Sequence, residues 1–494
     1  MKMVKSLLLG TAAGLIAVGG AQAADLPLKA KAVEYVKICT LYGAGFYYMP
    51  GTDTCIKLGG YIRADLLANT NGAYNIGQGA PAGAQNRLDN YYQTRARMDF
   101  NVDTRTATEY GVVRTYADMT FTYDTPSVTG SGGGTTAPTG SASLGLYHAF
   151  IQFAGFTLGR TVSIFDAPWQ SYPAGGPDFL PGGSNHTNGV NQIAYTADFG
   201  QGITASLAAQ DESSPTGGQS NLWNVSSGTA AQFVTGVYGA SAWGGTRVPD
   251  LIGQVRVDQA WGLFQLSGVA HNIHSAYYGA TEVTGHPDDK WGWAVQGALS
   301  IKNIPTGAGD SINLQAVYTD GASRYNFQSL FPQTIFIYGG SDVAYQSLGV
   351  AGIADGVFGV GTGIDTVKTW GFRGGYTHNW SPDWSSSIYG AYAQLKYGNT
   401  GKALICANFA AALTPSAGAT CNPDFNLAVL GGNVVWKPVK NLAFTADLSY
   451  VWLDQKYSGT IAAPASAAVA KPAATYELKD QGNLQMLLRA QRNF

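Results

Sequence analysis

The sequence predicts an all-β fold, a 16-stranded antiparallel transmembrane β-barrel, and three observations lead to it. Long segments alternate polar and apolar residues at every second position. Most of these segments run to ten residues or more. The connections between them alternate strictly between short and long.

The alternation is clearest early in the chain. Over Gln93–Asp103 the odd positions are Gln93, Arg95, Arg97, Asp99, Asn101 and Asp103, and the even ones Thr94, Ala96, Met98, Phe100 and Val102. Successive side chains of a strand point to opposite faces, so one face is ionic and the other oily. The next run repeats it, with Arg114, Tyr116, Asp118, Thr120 and Thr122 opposite Val113, Ala117, Met119 and Phe121. A water-soluble sandwich alternates too, so period alone does not choose between the two.

Length and connectivity do. Sixteen candidate strands cover 59–68, 91–104, 109–124, 143–154, 156–164, 189–199, 202–211, 250–259, 261–272, 290–302, 310–321, 366–379, 384–398, 425–437, 441–455 and 483–494. A tilted membrane strand needs about 9–11 residues, against about 5–6 for an ordinary globular strand. Tight connections fall at 104–109, Gly155, Gly200-Gln201, Ala260, 303–309, 380–383 and 438–440. Long ones, rich in Gly, Ser, Pro and Asn, fall at 69–90, 125–142, 212–249, 322–365, 399–424 and 456–482. In an antiparallel sheet successive connections lie on opposite rims. All short turns therefore share one end, periplasmic in an outer-membrane barrel, and all long loops the other, extracellular end. Trp261, Trp291, Trp293, Trp380, Trp384, Trp436 and Trp452 lie near strand ends, where interfacial aromatics belong.

The remaining composition agrees with export to a membrane. Lys2 and Lys5 precede an apolar run from Leu7 to Val18, and Ala21-Gln22-Ala23 offers small residues for cleavage, so residues 1–23 read as a signal peptide. That run is shorter than the ~20 apolar residues of a spanning helix. Only 12% of the chain is charged, about half the usual share, as expected where much of the exterior meets lipid. The net charge of −2, more negative once Lys2 and Lys5 are removed, argues against a nucleic-acid partner. In an oxidising compartment the four cysteines read as two local disulfides, Cys39–Cys55 and Cys406–Cys421, since neither pair has the CxxC spacing or neighbouring His of a metal site.

Three stretches then resemble the general porins of alphaproteobacteria such as rhizobia and brucellae. They are Val33–Cys39 with Tyr42–Phe46 and Pro50–Cys55, the hairpin Val255–Gly262, and the ending Arg489–Phe494. The resemblance implies a homotrimeric outer-membrane channel for passive diffusion of small hydrophilic solutes and ions, set among outer-membrane lipid and lipopolysaccharide. It further implies a barrel over 59–494, a mostly irregular periplasmic lead-in over 24–58 held by Cys39–Cys55, and a third long loop, 165–188, folded inward as a constriction. The terminal strand ending in Phe494 would be read by the barrel-assembly machinery.

For a channel the chemistry is a field and a gap, with no bond made. Arg63, Arg95, Arg97 and Arg114 fall on the polar faces of the first three strands and should form a basic patch on the inner wall, with Arg160 extending it. Loop 165–188 carries Asp166 and Asp178 among prolines. Either the arginines face these aspartates across the constriction, or they pair with Asp65, Asp99, Asp103 and Asp118 on neighbouring strands. Both stay open here. No cofactor, metal site or enzyme is expected. The six histidines are scattered, there is no GxSxG nucleophile motif, and Gly132–Gly134 lacks the Lys of a phosphate loop. The rival readings are a substrate-specific outer-membrane transporter, which an aromatic ladder along the wall would favour, and a secreted β-sandwich adhesin.

Overall fold

A computed structural model describes residues 37–70, 85–87, 91–125, 141–169, 180–213, 218–234, 236–327, 334–467 and 470–494. The expected signal peptide, 1–23, lies outside them. Among the described residues sixteen strands form one antiparallel ring. They are β1 Thr54–Asn69, β2 Tyr92–Thr108, β3 Gly111–Thr125, β4 Ser141–Phe153, β5 Phe156–Thr161, β6 Val190–Asp198, β7 Ile203–Asp211 and β8 Asp250–Gln259. The ring continues with β9 Gly262–Ile273, β10 Lys290–Lys302, β11 Ser311–Asp320, β12 Lys368–Asn379, β13 Trp384–Lys396, β14 Phe425–Val439, β15 Leu442–Gln455 and β16 Gln481–Asn493. Each pairs with the next, and β16 pairs back to β1 from Tyr61↔Asn493 to Asn69↔Gln485. All sixteen expected strands are present, and the barrel is closed.

Closure leaves no unpaired edge, which is why strands can cross hydrocarbon at all. The outward parity of each strand is apolar and bare: Ile62, Ile193, Leu207, Ile388, Leu430 and Leu448 are all exposed. A water-soluble protein would not leave so wide an apolar surface uncovered. No helix among the described residues is long and apolar enough to cross a membrane. Near the short-turn rim Trp384, Trp436 and Phe444 stack in sequence, with ring centroids 5.7 and 5.6 Å apart. Trp293, Trp370 and Trp452 lie toward the opposite rim. These are the two aromatic belts of a membrane barrel.

The short turns follow local backbone preferences. Between β4 and β5 the turn is Ala154-Gly155, both at positive φ (48° and 85°), the type I′ geometry that matches strand twist. Ala154 thus belongs to the turn and not, as expected, to the strand. A Cβ on Gly155 would lie 2.9 Å from the Thr196 carbonyl oxygen, which explains the glycine. Several strand boundaries also move; β2, for example, runs on to Thr108, past the expected 104. β1 begins at Thr54, before the expected 59, because Cys55 and Ile56 pair with Tyr48 and Tyr47 on one side and with Arg105 and Thr104 on the other. β5 ends at Thr161, short of 164, because the chain leaves the wall there and enters the barrel. Both disulfides form, Cys39–Cys55 beside this start and Cys406–Cys421 in an extracellular loop. Each closes a short loop, worth about 3 kcal/mol in the chain-entropy model.

The long loops carry structure of their own. Leu222–Asn224, Ala240–Ser241, Gly356–Phe358 and Asp365–Thr366 form one small sheet. Thr334–Gly339, Gln346–Gly352, Thr414–Pro415, Thr460–Ala463 and Ala474–Leu478 form another. A helix spans Asn399–Ala412 and is tied to the following segment by Cys406–Cys421. Trp223, Tyr238, Ile337, Leu348, Phe409 and Tyr476 of these loops pack on Ala393, Leu395, Leu427, Val429, Val451 and Leu453. The latter lie on the inward parity of β13–β15, opposite the exposed Ile388, Leu430 and Leu448. The extracellular half of that wall is therefore apolar on both faces, a departure from a uniformly polar interior.

An outward-facing charge should be costly and an outward-facing apolar exchange cheap. Leu207 sits at the middle of β7 and is 71% exposed. The substitution L207R should lower barrel stability in lipid vesicles by about 2–4 kcal/mol in reversible urea unfolding. L207V should cost no more than about 1 kcal/mol. Equal stability for both variants would mean that this face does not meet lipid.

Candidate pore and its constriction

The inner wall divides by strand. On β16 and β1–β3 it is ionic. Arg95 and Asp124 are cross-strand partners joined by two hydrogen bonds, Nε–Oδ1 at 2.6 Å and Nη2–Oδ2 at 3.0 Å. Arg114 and Arg105 both reach Asp103, at 3.0 Å, and Arg114 also donates to Gln152. Asp65 accepts from Arg489 of β16 at 2.7 Å, and Asp118 meets His148 Nδ1 at 2.9 Å. Arg63 and Arg97 are register partners on β1 and β2. Arg63 donates from Nε to Gln491 at 2.8 Å and Arg97 from Nε to Thr122 at 2.9 Å.

Four of the five arginines expected on this wall are thus gathered on its first three strands. Arg160 is not among them. The register pairs it with Asn191, on the parity that exposes Ile193 and Tyr195, and its guanidinium donates to the Leu146 and Asn188 carbonyls. The Gly155 turn sets that parity, so one residue of turn length decides which face Arg160 takes. Arg489 of β16 joins the wall through barrel closure.

The described arms of the third long loop, 162–169 and 180–189, run inside the barrel against β8–β12. That is half the ring away from β1 and β2. One glutamine on each of four successive strands holds them. Gln254 donates to the Ile164 carbonyl. Gln265 donates to the Asp166 carbonyl at 2.9 Å and Gln296 to the Phe165 carbonyl at 2.9 Å. Gln315 donates to Gln296 at 3.1 Å. On β12 Arg373 caps the Leu180 and Ser184 carbonyls at 3.2 and 2.7 Å. Buried loop carbonyls need such partners, because an unmatched one costs roughly 1–3 kcal/mol. The glutamines share the inward parity of their strands, a signal readable in the sequence once every strand is phased.

Asp166 does not face the arginines. It is buried, and its carboxylate accepts from the backbone N–H and the Nδ1 of His186, the latter at 2.8 Å. His186 Nε2 lies 2.9 Å from Glu212, and Glu212 pairs with Arg324 at 2.7 Å. Tyr325 OH donates to Asp250, which also holds His271 at 2.7 Å. Asp166 is therefore spent on anchoring the loop and compensated where it sits. Asp178 lies outside the described residues. Burial opposes a charge on His186, but Asp166 and Glu212 outweigh it and raise its pKa to about 10. Glu212 is held well below the usual carboxylate range by His186 and Arg324, in spite of its burial.

At the short-turn rim Phe494 donates its N–H to the Gly60 carbonyl at 3.1 Å, and its ring lies over the same glycine, where a Cβ would come within 3.1 Å. No cluster of metal-ligating side chains occurs among the described residues.

Comparisons with known proteins agree on one family. Residues 25–487 match the family described as the Porin subfamily. The chain is 31% identical over 333 residues to porin Omp2b of Brucella suis biovar 1, covering 64% of this chain and 85% of that one. Porin Omp2b of Brucella melitensis biotype 1 matches at the same identity and coverage. In fold the chain is similar to the outer membrane channel DcaP of Acinetobacter baumannii, with a TM-score of 0.56 at 15% identity, over 90% of this chain and 99% of that one.

The loop anchor carries a pH dependence of definite sign. The pKa of His186 in the folded protein lies above its ordinary value of 6.5, so its contribution is complete below about 6.5 and is lost as pH rises through about 10. Amide protection over 182–189, corrected for intrinsic exchange, should fall across that window, and H186Q should flatten the dependence. A second anchor is steric. Gly182 has φ of +89°, and a Cβ there would lie 2.4 Å from the Phe372 carbonyl. The substitution G182A should speed exchange over the same amides at least tenfold at pH 6, and unchanged protection would mean that the arm is not seated on β12.

Proposed function

This chain belongs to the porin subfamily, and from that premise we propose that its outer-membrane channel conducts small hydrophilic solutes and ions by passive diffusion. One observation carries the reading: the ionic stretch of inner wall on β16 and β1–β3 stands opposite a loop held inside the barrel. The extracellular loops fill the side of β13–β15 with apolar side chains. The third loop covers β8–β12. A water-filled path then runs along the arginine wall, with loop 165–188 as its constriction and Arg63, Arg95, Arg97 and Arg114 as its basic lining.

The family is one of channels rather than of enzymes, and we read this chain as making no bond to what it passes. The resemblance to general porins supports a homotrimer in outer-membrane lipid and lipopolysaccharide, and removal of residues 1–23 during export. It also supports a lead-in from residue 24 to the start of β1 at Thr54 and recognition of the strand ending in Phe494 by the barrel-assembly machinery. The seating of Phe494 on Gly60, at the seam where β16 meets β1, fits an assembly signal read at the last step of closure.

Purified protein in liposomes should admit small sugars, with swelling rates that fall as solute size rises. In planar bilayers it should give stepwise, ohmic conductance proportional to salt concentration. Liposomes that stay impermeable would overturn the reading. Flux that saturates for one solute and is negligible for others of its size would replace it with a substrate-specific transporter.

A further inference from the structure

We propose that Arg63 and Arg97 together form a binding station for small oxyanions, carboxylates or phosphate, on the pore wall. The inference rests on the channel reading above and adds a ligand class to it.

The argument starts from which arginines are neutralised. Arg95, Arg105, Arg114 and Arg489, all on the same wall, each reach a carboxylate within 3.0 Å. Arg63 and Arg97 do not. Their partners are neutral: Gln491 for Arg63, and Thr122 and the Tyr61 hydroxyl for Arg97. Among the described residues neither makes an ion pair. The nearest carboxylates, Asp65 and Asp99, act on Arg63 through space but make their hydrogen bonds elsewhere, Asp65 with Arg489 and Asp99 with Asn101 and Asp118. Yet the two are direct cross-strand partners, so their Cα atoms are about 5 Å apart. Like charges placed directly opposite each other on a sheet destabilise it unless something between them compensates.

The geometry suits an anion as that compensator. Each guanidinium has five N–H donors in a planar fork. The hydrogen bonds to Gln491 and Thr122 use Nε, the root of the fork. Both side chains lie on the inward parity and are half-buried, while Arg95 is buried. The planes are steadied from below by aromatic faces. Arg63 Cζ lies 4.5 Å from the centroid of Tyr61, and Arg97 Cζ 5.7 Å from that of Tyr147. Tyr147 reaches this position because a bulge in the β3–β4 ladder, between Asp118 and Met119, leaves it without a register partner. Two forks side by side, held by neutral bonds and rings, match the paired oxygens of a carboxylate or phosphate.

The test uses the full-length protein in planar bilayers under a potassium chloride gradient, with inorganic phosphate and acetate as probes. The native channel should prefer chloride over potassium. Either probe should reduce chloride current with a saturable dose dependence. In R63Q/R97Q the half-blocking concentration should rise at least about tenfold and the reversal potential should move toward zero, while stepwise conductance persists. Block by phosphate but not acetate, or the reverse, would say which oxyanion the station accepts. A conducting double variant with native block and selectivity would overturn the station and leave the channel reading standing. A native protein that forms no channels would overturn both. A second measurement needs no variant: phenylglyoxal should modify Arg63 and Arg97 ahead of Arg95, and phosphate should protect those two. Modification indifferent to both probes would also overturn the proposal.

Discussion

Hydrocarbon offers no hydrogen-bond partner to a peptide group, so a sheet placed in it has to close, and the pairing of β1 with β16 is what closes this one. Everything else depends on that seam. It brings Arg489 beside Asp65 and Gln491 beside Arg63, residues more than four hundred positions apart in the chain. It seats the last residue, Phe494, on Gly60. Without the seam Asp65 would lose Arg489 and Arg63 would lose Gln491, and the ionic face would end at the edge of an open sheet.

Once the ring is closed, each strand has one lipid face and one inner face, and the inner face is not of one kind. On β16 and β1–β3 it is charged. On β8–β11 it is a row of glutamines, of which those on β8–β10 take up loop carbonyls and Gln315 on β11 braces Gln296. On the extracellular half of β13–β15 it is apolar and serves as one wall of a core shared with the loops. The three surfaces have three physical jobs. Charge keeps water and sets a field, amides satisfy a buried backbone, and apolar side chains stabilise a mass of loop that would otherwise be loose. A barrel interior wide enough for a channel is made narrow by filling two of its three sectors.

The buried group of Asp166, His186, Glu212, Arg324, Tyr325 and Asp250 links the third loop to strand ends and to the loops after β7 and β11. Buried charges of this kind contribute little net stability over apolar side chains of the same size, but they specify one arrangement because a misplaced member is left unpaired. That specificity is what a constriction needs: its width is the distance from a loop to a wall, and a loop free to move would give no fixed width.

The strands, their faces and their connections were legible in the sequence because they follow from local rules. Period two, strand length and the alternation of short with long connections all survive without knowledge of what packs on what, and Arg63, Arg95, Arg97 and Arg114 were found on the inner wall from parity alone. The same rule misplaced Arg160, since it assumed a one-residue turn where Ala154 and Gly155 both turn, and a single residue reverses the face. What needed the tertiary structure was every fact about partners. On paper Asp166 and Arg97 carry the formal charge of any other aspartate and arginine. Only the folded chain decides that the aspartate is buried against His186 while the arginine is left with neutral partners at the lumen. Alternation is a property of consecutive residues and so is written in their order. Pairing across a closed ring joins residues that the chain order keeps far apart, and there the decision belongs to three-dimensional distance.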